Sequence, residues 1–400
     1  MGRNYRTIVS GIMEGIDSVT RVSGLIHPLY LSSPLSQCPE LFLQGIGFFL
    51  SALRGPYMSL DIIPPALSQI ESPTDSYVAR YPWAAEFAVE QQSIFWPAEE
   101  LGVDEDEDDF RTKLTDGELH GVLFAQSILT QYELMIGGEE LWGGKIARMF
   151  PRPEIQRMCA CFANVELGSH APFYDLANKV LGRATDDFYR QWKSDPILAE
   201  RIAFISQCAG SDNPLEVTAA LAFLEGAVLF SVFGFFKGFN ARGHNLIPHF
   251  VSGIDGSAKD ENFHSIASAS LFNQCRAERM ELGNHSPAQD EALNQVIDQM
   301  TQTVYEHELR IIDRMFEVPG NRVVAQDELV HFLKDRLDVV RNRLGRPAQF
   351  DLKKGEISNW FYQQLSTVKV PDFFAATQLQ YTRNWAKHKL TFRKELAHGV

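Results

Sequence analysis

Carboxylates occupy positions where a folded chain seldom leaves them. Glu225 lies inside Leu221-Ala-Phe-Leu-Glu-Gly-Ala-Val-Leu-Phe230, an apolar run. An ionised carboxylate buried there without a partner would cost on the order of several kcal/mol, so a cation must face it. Glu133 closes the run Leu123-Phe-Ala-Gln-Ser-Ile-Leu-Thr-Gln-Tyr-Glu133, and Glu166 follows Met158-Cys-Ala-Cys-Phe-Ala-Asn-Val165. Two histidines complete a pattern. Asp260-Glu261-Asn-Phe-His264 puts Glu261 and His264 at i, i+3, neighbours on one helix face, and Glu166 and His170 stand at i, i+4. A helix with one carboxylate is thus followed by a Glu/His helix, twice, with 33 residues from Glu133 to Glu166 and 36 from Glu225 to Glu261. Packed together, two such halves bring four carboxylates and two imidazoles to one centre. That donor set holds divalent metals, and it suits Fe and Mn alike.

The elements that must position these residues are helices. Thr115-Asp-Gly-Glu118 is a capping box, in which the Thr hydroxyl and the Glu carboxylate satisfy free amides at a helix start; apolar residues follow at helical spacing through Met135. Further helices are expected over about 153–181, 214–236 and 257–275, and amphipathic ones over 286–316 and 325–344. No period-two strand pattern and no solenoid repeat is present, so the fold class is all-α. One carboxylate from each of two helices and a Glu/His pair from each of two others is the ligand set of ferritin-like di-metal bundles. Local motif alone does not select the site, because Asp327-Glu328-Leu-Val-His331 repeats the D-E-x-x-H pattern. Its surroundings are charged and amphipathic, and Glu328 reads as a first-turn acid favoured by the helix dipole. The acidic run from Asp104 to Asp109 reads as a solvated loop.

The totals limit the partners. A chain of 400 residues, 45% hydrophobic, has ample core. Its net charge of -14 disfavours nucleic acid and anionic membranes. The five cysteines (Cys38, Cys159, Cys161, Cys208, Cys275) form neither a C-x-x-C pair nor a zinc spacing, and read as buried thiols of a reducing compartment. No signal peptide is legible, and a cytoplasmic location is expected. The apolar runs 41–53 and 221–236 are expected to be buried helices and not membrane spans.

Over Tyr81 to Tyr381 the sequence resembles the small subunit of class I ribonucleotide reductases. The likeness rests on Tyr81-Pro-Trp-Ala84, Phe95-Trp-Pro-Ala-Glu-Glu100, Lys113-Leu-Thr-Asp116, Leu129-Thr-Gln131, and Asp260-Glu261-x-x-His264. Near the C-terminus, Trp360-Phe361, Val370-Pro-Asp-Phe-Phe374 and Gln380-Tyr381 continue it. The resemblance implies that Glu133, Glu166, His170, Glu225, Glu261 and His264 ligate two metal ions per chain, Fe first, with Mn or a mixed Mn/Fe pair as alternatives. It implies that Tyr174, one turn after His170, is oxidised to a stable radical when the metals activate dioxygen. Trp96 and Asp260 would link His170 to the surface, and Tyr381 would relay the radical to a large catalytic subunit that reduces ribonucleotides. A homodimer is implied as well.

Three departures stand out. The first Glu/His pair is i, i+4 where the family has i, i+3; one extra residue rotates a helix by about 100°, which a π-bulge absorbs, so one is predicted near 167–169. Glu133 stands where many members carry Asp, and the basic end Trp385-Ala-Lys-His-Lys-Leu-Thr-Phe-Arg-Lys394 replaces the usual acidic or aromatic tail. The domain organisation expected is an N-terminal extension over 1–75, a di-metal helical domain over 76–345, and a docking and relay segment over 346–400. Two other readings compete: a stand-alone ferritin-like di-metal oxidase, and a metal-free helical partner-binding subunit.

Overall fold

The computed structural model describes residues 67–367; Cys38, the apolar run 41–53 and the relay candidate Tyr381 lie outside the described residues. Among the described residues every regular element is helical. In chain order these are α1 (Pro82–Ile94), α2 (Asp116–Gly137), α3 (Pro153–Val165), α4 (Ala171–Val180), α5 (Pro196–Gly210), α6 (Pro214–Phe223), α7 (Phe230–Gly238), α8 (Pro248–Glu281), α9 (Pro287–Met315), α10 (Gln326–Arg343) and α11 (Glu356–Thr367). A π-helical turn, Glu166–His170, joins α3 to α4, a second, Leu224–Val228, leads from α6 towards α7, and another, Asp109–Lys113, precedes α2. Four rods result: α2, α3 with α4, α6 with α7, and α8. They pack as a bundle, flanked by α1, α5, α9, α10 and α11.

The helix starts follow from local chemistry. Thr115 and Glu118 form the expected capping box, and Glu118 also takes Arg322, which ties α2 to the segment before α10. Asp195 caps α5, Asn213 caps α6 and Ser286 caps α9, each followed by a proline that has no amide to leave unpaired. The stretch Pro214–Gly238 is long and apolar enough to cross a membrane by length and composition, yet its apolar window is entirely packed inside the bundle. Only a shell of other helices makes that stretch compatible with water.

Two expectations fail. Helix α8 spans Pro248–Glu281 and not 257–275. Gly253 and Gly256 obscured its first turns, and both are close-packing positions: a Cβ would lie 2.3 Å from the Phe173 ring at Gly253 and 2.9 Å from the Trp96 indole at Gly256. Its charged last turns receive residues 67–75, where Ile70 donates its amide to Glu278 and Glu71 pairs with Arg279. The acidic run is not a solvated loop. Asp106 and Asp109 are buried and accept the amides of Phe250 (2.7 Å) and Ile247 (2.8 Å), so two carboxylates satisfy the free N-terminus of α8 and complement its dipole. Replacing Asp106 by Ala strands the Phe250 amide; a loss of about 1–2 kcal/mol is expected, read as a lowered thermal midpoint with unchanged helix content.

Candidate metal centre

The π turn fixes the first Glu/His pair. It spans Glu166–His170, as the spacing requires, and both side chains are fully buried. Gly137 on α2 is what lets Glu166 approach, since a Cβ there would stand 2.5 Å from the Glu166 Cβ. Ser169 anchors the turn by donating to the Trp96 carbonyl at 2.5 Å. The second π turn, around Glu225, was not anticipated. Its widened winding leaves carbonyls for outside donors: Tyr132 donates to Leu224 O (2.7 Å) and Arg336 to Gly226 O (2.9 Å). An apolar run carries no sequence mark for such a turn.

The six side chains converge. Glu133, Glu166, His170 and Glu261 offer ligand atoms within 4.8 Å of one another, and so do Glu166, Glu225, Glu261 and His264. The two sets share Glu166 and Glu261, an arrangement of two adjacent sites bridged by two carboxylates. His170 Nδ1 lies 2.8 Å from Glu166 and 3.2 Å from Glu261; His264 Nδ1 lies 2.7 Å from Glu166 and 3.4 Å from Glu261. Close as they are, both Nδ1 atoms and seven of the eight carboxylate oxygens lack hydrogen bonds of acceptable geometry. Their lone pairs turn to shared centres and not to one another. Buried polar groups are otherwise almost always paired, so this concentration of orphaned donors fits two metal ions.

Outer contacts orient the ligands. His170 Nε2 meets Asp260 Oδ2 at 3.1 Å, and Trp96 donates its indole N–H to the same oxygen at 2.9 Å, so the expected His170, Asp260 and Trp96 chain is physically continuous. Gln91 of α1 closes a second link: its amide nitrogen donates to Asp260 Oδ1 (3.1 Å) and its oxygen meets His264 Nε2 (3.0 Å). The eighth carboxylate oxygen, Glu225 Oε1, accepts the Trp142 indole N–H at 2.5 Å, which leaves Oε2 free to ligate. Sequence reasoning missed Gln91 and Trp142. Gln91 sits in a polar stretch and Trp142 among Gly138, Gly143 and Gly144, with nothing local to point inward. The decoy pair stays apart: Glu328 caps α10 and holds Arg242, and His331 meets the Lys353 carbonyl.

Tyr174 is fully buried on α4, one turn beyond His170, and its hydroxyl has no hydrogen-bond partner. Burial and then the charge of Glu133 hold the phenol well above its ordinary pKa, so it keeps its proton at rest.

The metal-free charges divide in a definite way. Burial lowers the pKa of both histidines, but the surrounding carboxylates together, Glu166 foremost, outweigh it and hold them well above the ordinary value. Burial and Glu261 push Glu133 and Glu225 up, whereas against burial the two imidazoles hold Glu166 down, and Glu225 with the two imidazoles holds Glu261 down. Two imidazolium ions then balance two carboxylates, and two divalent ions would balance four. Loading must expel protons, so affinity for Fe(II) or Mn(II) is expected to rise with pH. Calorimetry in buffers of different ionisation enthalpy checks this, and metal uptake with no proton release would contradict it.

The sequence and the fold have counterparts among known proteins. The family model for the ribonucleotide reductase small chain matches residues 75–356. By sequence, no curated protein matches. Among solved structures, a class I ribonucleotide reductase from Bacillus halodurans is 17% identical, covers 71% of this chain and 100% of its own, and superposes with a TM-score of 0.62. The R2 subunit from Clostridium botulinum is 18% identical over 72% of this chain and 89% of its own (TM-score 0.59). The dimanganese(II)-NrdF of Streptococcus sanguinis is 17% identical over 74% of this chain and 99% of its own (TM-score 0.62). At these identities the likeness establishes the fold. The family match covers more than two thirds of the sequence and contains all six converging residues, and on that ground the chain belongs to the ribonucleotide reductase small chain family.

Proposed function

We propose that this chain is the radical-generating small subunit of a ribonucleoside-diphosphate reductase. The observation that carries the proposal is the buried cluster of Glu133, Glu166, His170, Glu225, Glu261 and His264, with its ligand atoms unpaired and Tyr174 one turn away. Those six residues would hold two metal ions, Fe first and Mn or a mixed pair otherwise. When bound, the metals supply the capacity to activate dioxygen and the oxidising power that tyrosine oxidation needs. The protein fixes the ligands, excludes water with the phenylalanines of α6 and α7, and keeps Tyr174 protonated until its electron leaves.

In this reading the hydrogen-bonded chain from His170 through Asp260 to Trp96 carries the oxidising equivalent away from the metal cluster. In this reading the route serves a large catalytic subunit, with the 346–400 segment docking there and Tyr381 as relay. The 76–345 segment is the di-metal domain, 1–75 precedes it as an extension, and the subunit works as a cytoplasmic homodimer. The stand-alone oxidase leaves the C-terminal likeness without a purpose, and the metal-free scaffold leaves the orphaned ligand atoms without one.

Two variants separate the roles. Loaded with Fe(II) or manganese under oxygen, the protein should bind about two metals per chain and give a tyrosyl EPR signal. Tyr174→Phe should abolish that signal and keep the metals. Asp260→Asn should keep both metals and signal but reduce ribonucleotide turnover with the large subunit by about 100-fold or more, as expected for a broken proton-coupled link. Metal without any tyrosyl signal or turnover would return the oxidase to first place.

A further inference from the structure

Beside the metal cluster runs a second line of buried polar side chains that the chemistry above leaves unused. The rods α2 and α4 lie side by side and antiparallel. The approaches of Gly137 to Glu166 and of Glu133 to His170 (4.0 Å) fix their register. In that register Thr130 stands level with Tyr174, and Gln126 level with Asn178. Gln126, Thr130 and Glu133 share one face of α2, and His170, Tyr174 and Asn178 follow one another at i+4 along α4. Gln126 is 1% exposed and Asn178 0%, yet neither the oxygen nor the nitrogen of either amide has a hydrogen-bond partner. The Thr130 hydroxyl, the Tyr174 hydroxyl and the Ser257 hydroxyl close to it are buried and unpartnered too.

Two buried amides without partners would cost roughly 1–3 kcal/mol for each orphaned group, and leucine would fill the same space without that cost. Buried polar groups left without protein partners are where proteins hold ordered water. The line also has an outlet. The short turn Asp186–Tyr189 packs on α2, and Tyr189 donates to Asp175 on α4 at 2.5 Å. Burial and Asp175 push the Tyr189 phenol up to about 12, while Asn178 pulls it down, so Tyr189 stands within reach of the Asn178 amide.

We infer that the seam between α2 and α4 holds a chain of ordered water on Gln126, Thr130 and Asn178, connecting the Tyr174 hydroxyl to the surface at Tyr189 and Asp175. The inference deepens the reading of Tyr174 as the radical site and rests on it for its use. When an oxidant of the kind that bound metals would supply takes the electron and the phenol O–H breaks, the proton passes to the first water of the chain. When an external one-electron donor restores the phenol, a proton returns along the same chain.

Crystals of the full chain test the water chain whether or not a radical forms. Density for water bonded to the Gln126 and Asn178 amides is expected, and two amides in direct contact with a dry seam would overturn the inference. Its use is tested in metal-loaded protein by the decay of the tyrosyl EPR signal on adding hydroxyurea, a small one-electron reductant. Gln126→Leu and Asn178→Leu should each slow that decay, normalised to the starting signal, by at least about tenfold and alter its solvent deuterium isotope effect, with metal content unchanged, whereas Asn178→Ser should retain the native rate. Equal decay in all variants would overturn the proton route. A native sample without a Tyr174 signal would overturn the Tyr174 reading and the route together, and the density would still decide the water chain.

Discussion

Everything in the bundle answers to one constraint, the burial of four carboxylates within reach of one another. Without compensation, like charges at this spacing in a dry interior would force the helices apart or force protons on. The protein supplies two imidazoles, which leaves two carboxylates as acids when no metal is bound. Two divalent ions would take the place of those protons. Stability of the metal-free fold and capacity for metal are therefore two sides of one charge balance.

The secondary structure bends to that balance. Two of the three π turns among the described residues fall at the converging side chains, one holding Glu166 and His170, the other Glu225. A π turn is a costly irregularity in a buried helix, and at Leu224–Val228 donors from other helices, Tyr132 and Arg336, take carbonyls it leaves open, while Ser169 ties the Glu166–His170 turn to the Trp96 carbonyl. Close packing does the rest. Gly137, Gly253 and Gly256 bring Glu166, Phe173 and Trp96 to distances that any larger residue would forbid. Trp96 then reaches Asp260, and Asp260 reaches His170.

Much of this was legible in the sequence because the ligands violate the ordinary partition of polar and apolar residues. Glu225 in an apolar run, and Glu/His pairs at helical spacing, are visible without any structure, and the i, i+4 spacing alone required the turn found at Glu166–His170. What stayed hidden depends on three-dimensional neighbours. Gln91 and Trp142 look like any surface glutamine and loop tryptophan. Asp106 and Asp109 look like part of a solvated acidic run, although they cap α8 from a distance of about 140 residues in sequence. Gly253 and Gly256 look like helix breakers and prove to be contact points. In each case the deciding partner lies on another helix.

The central claim is that the six residues form two bridged metal sites. Anomalous diffraction from crystals loaded with Fe(II) or Mn(II) tests it most directly. The account predicts two peaks per chain, one among Glu133, Glu166, His170 and Glu261 and the other among Glu166, Glu225, Glu261 and His264. A single peak, no peak, or Glu166 turned away from both metals with the helix regular through His170 would contradict it.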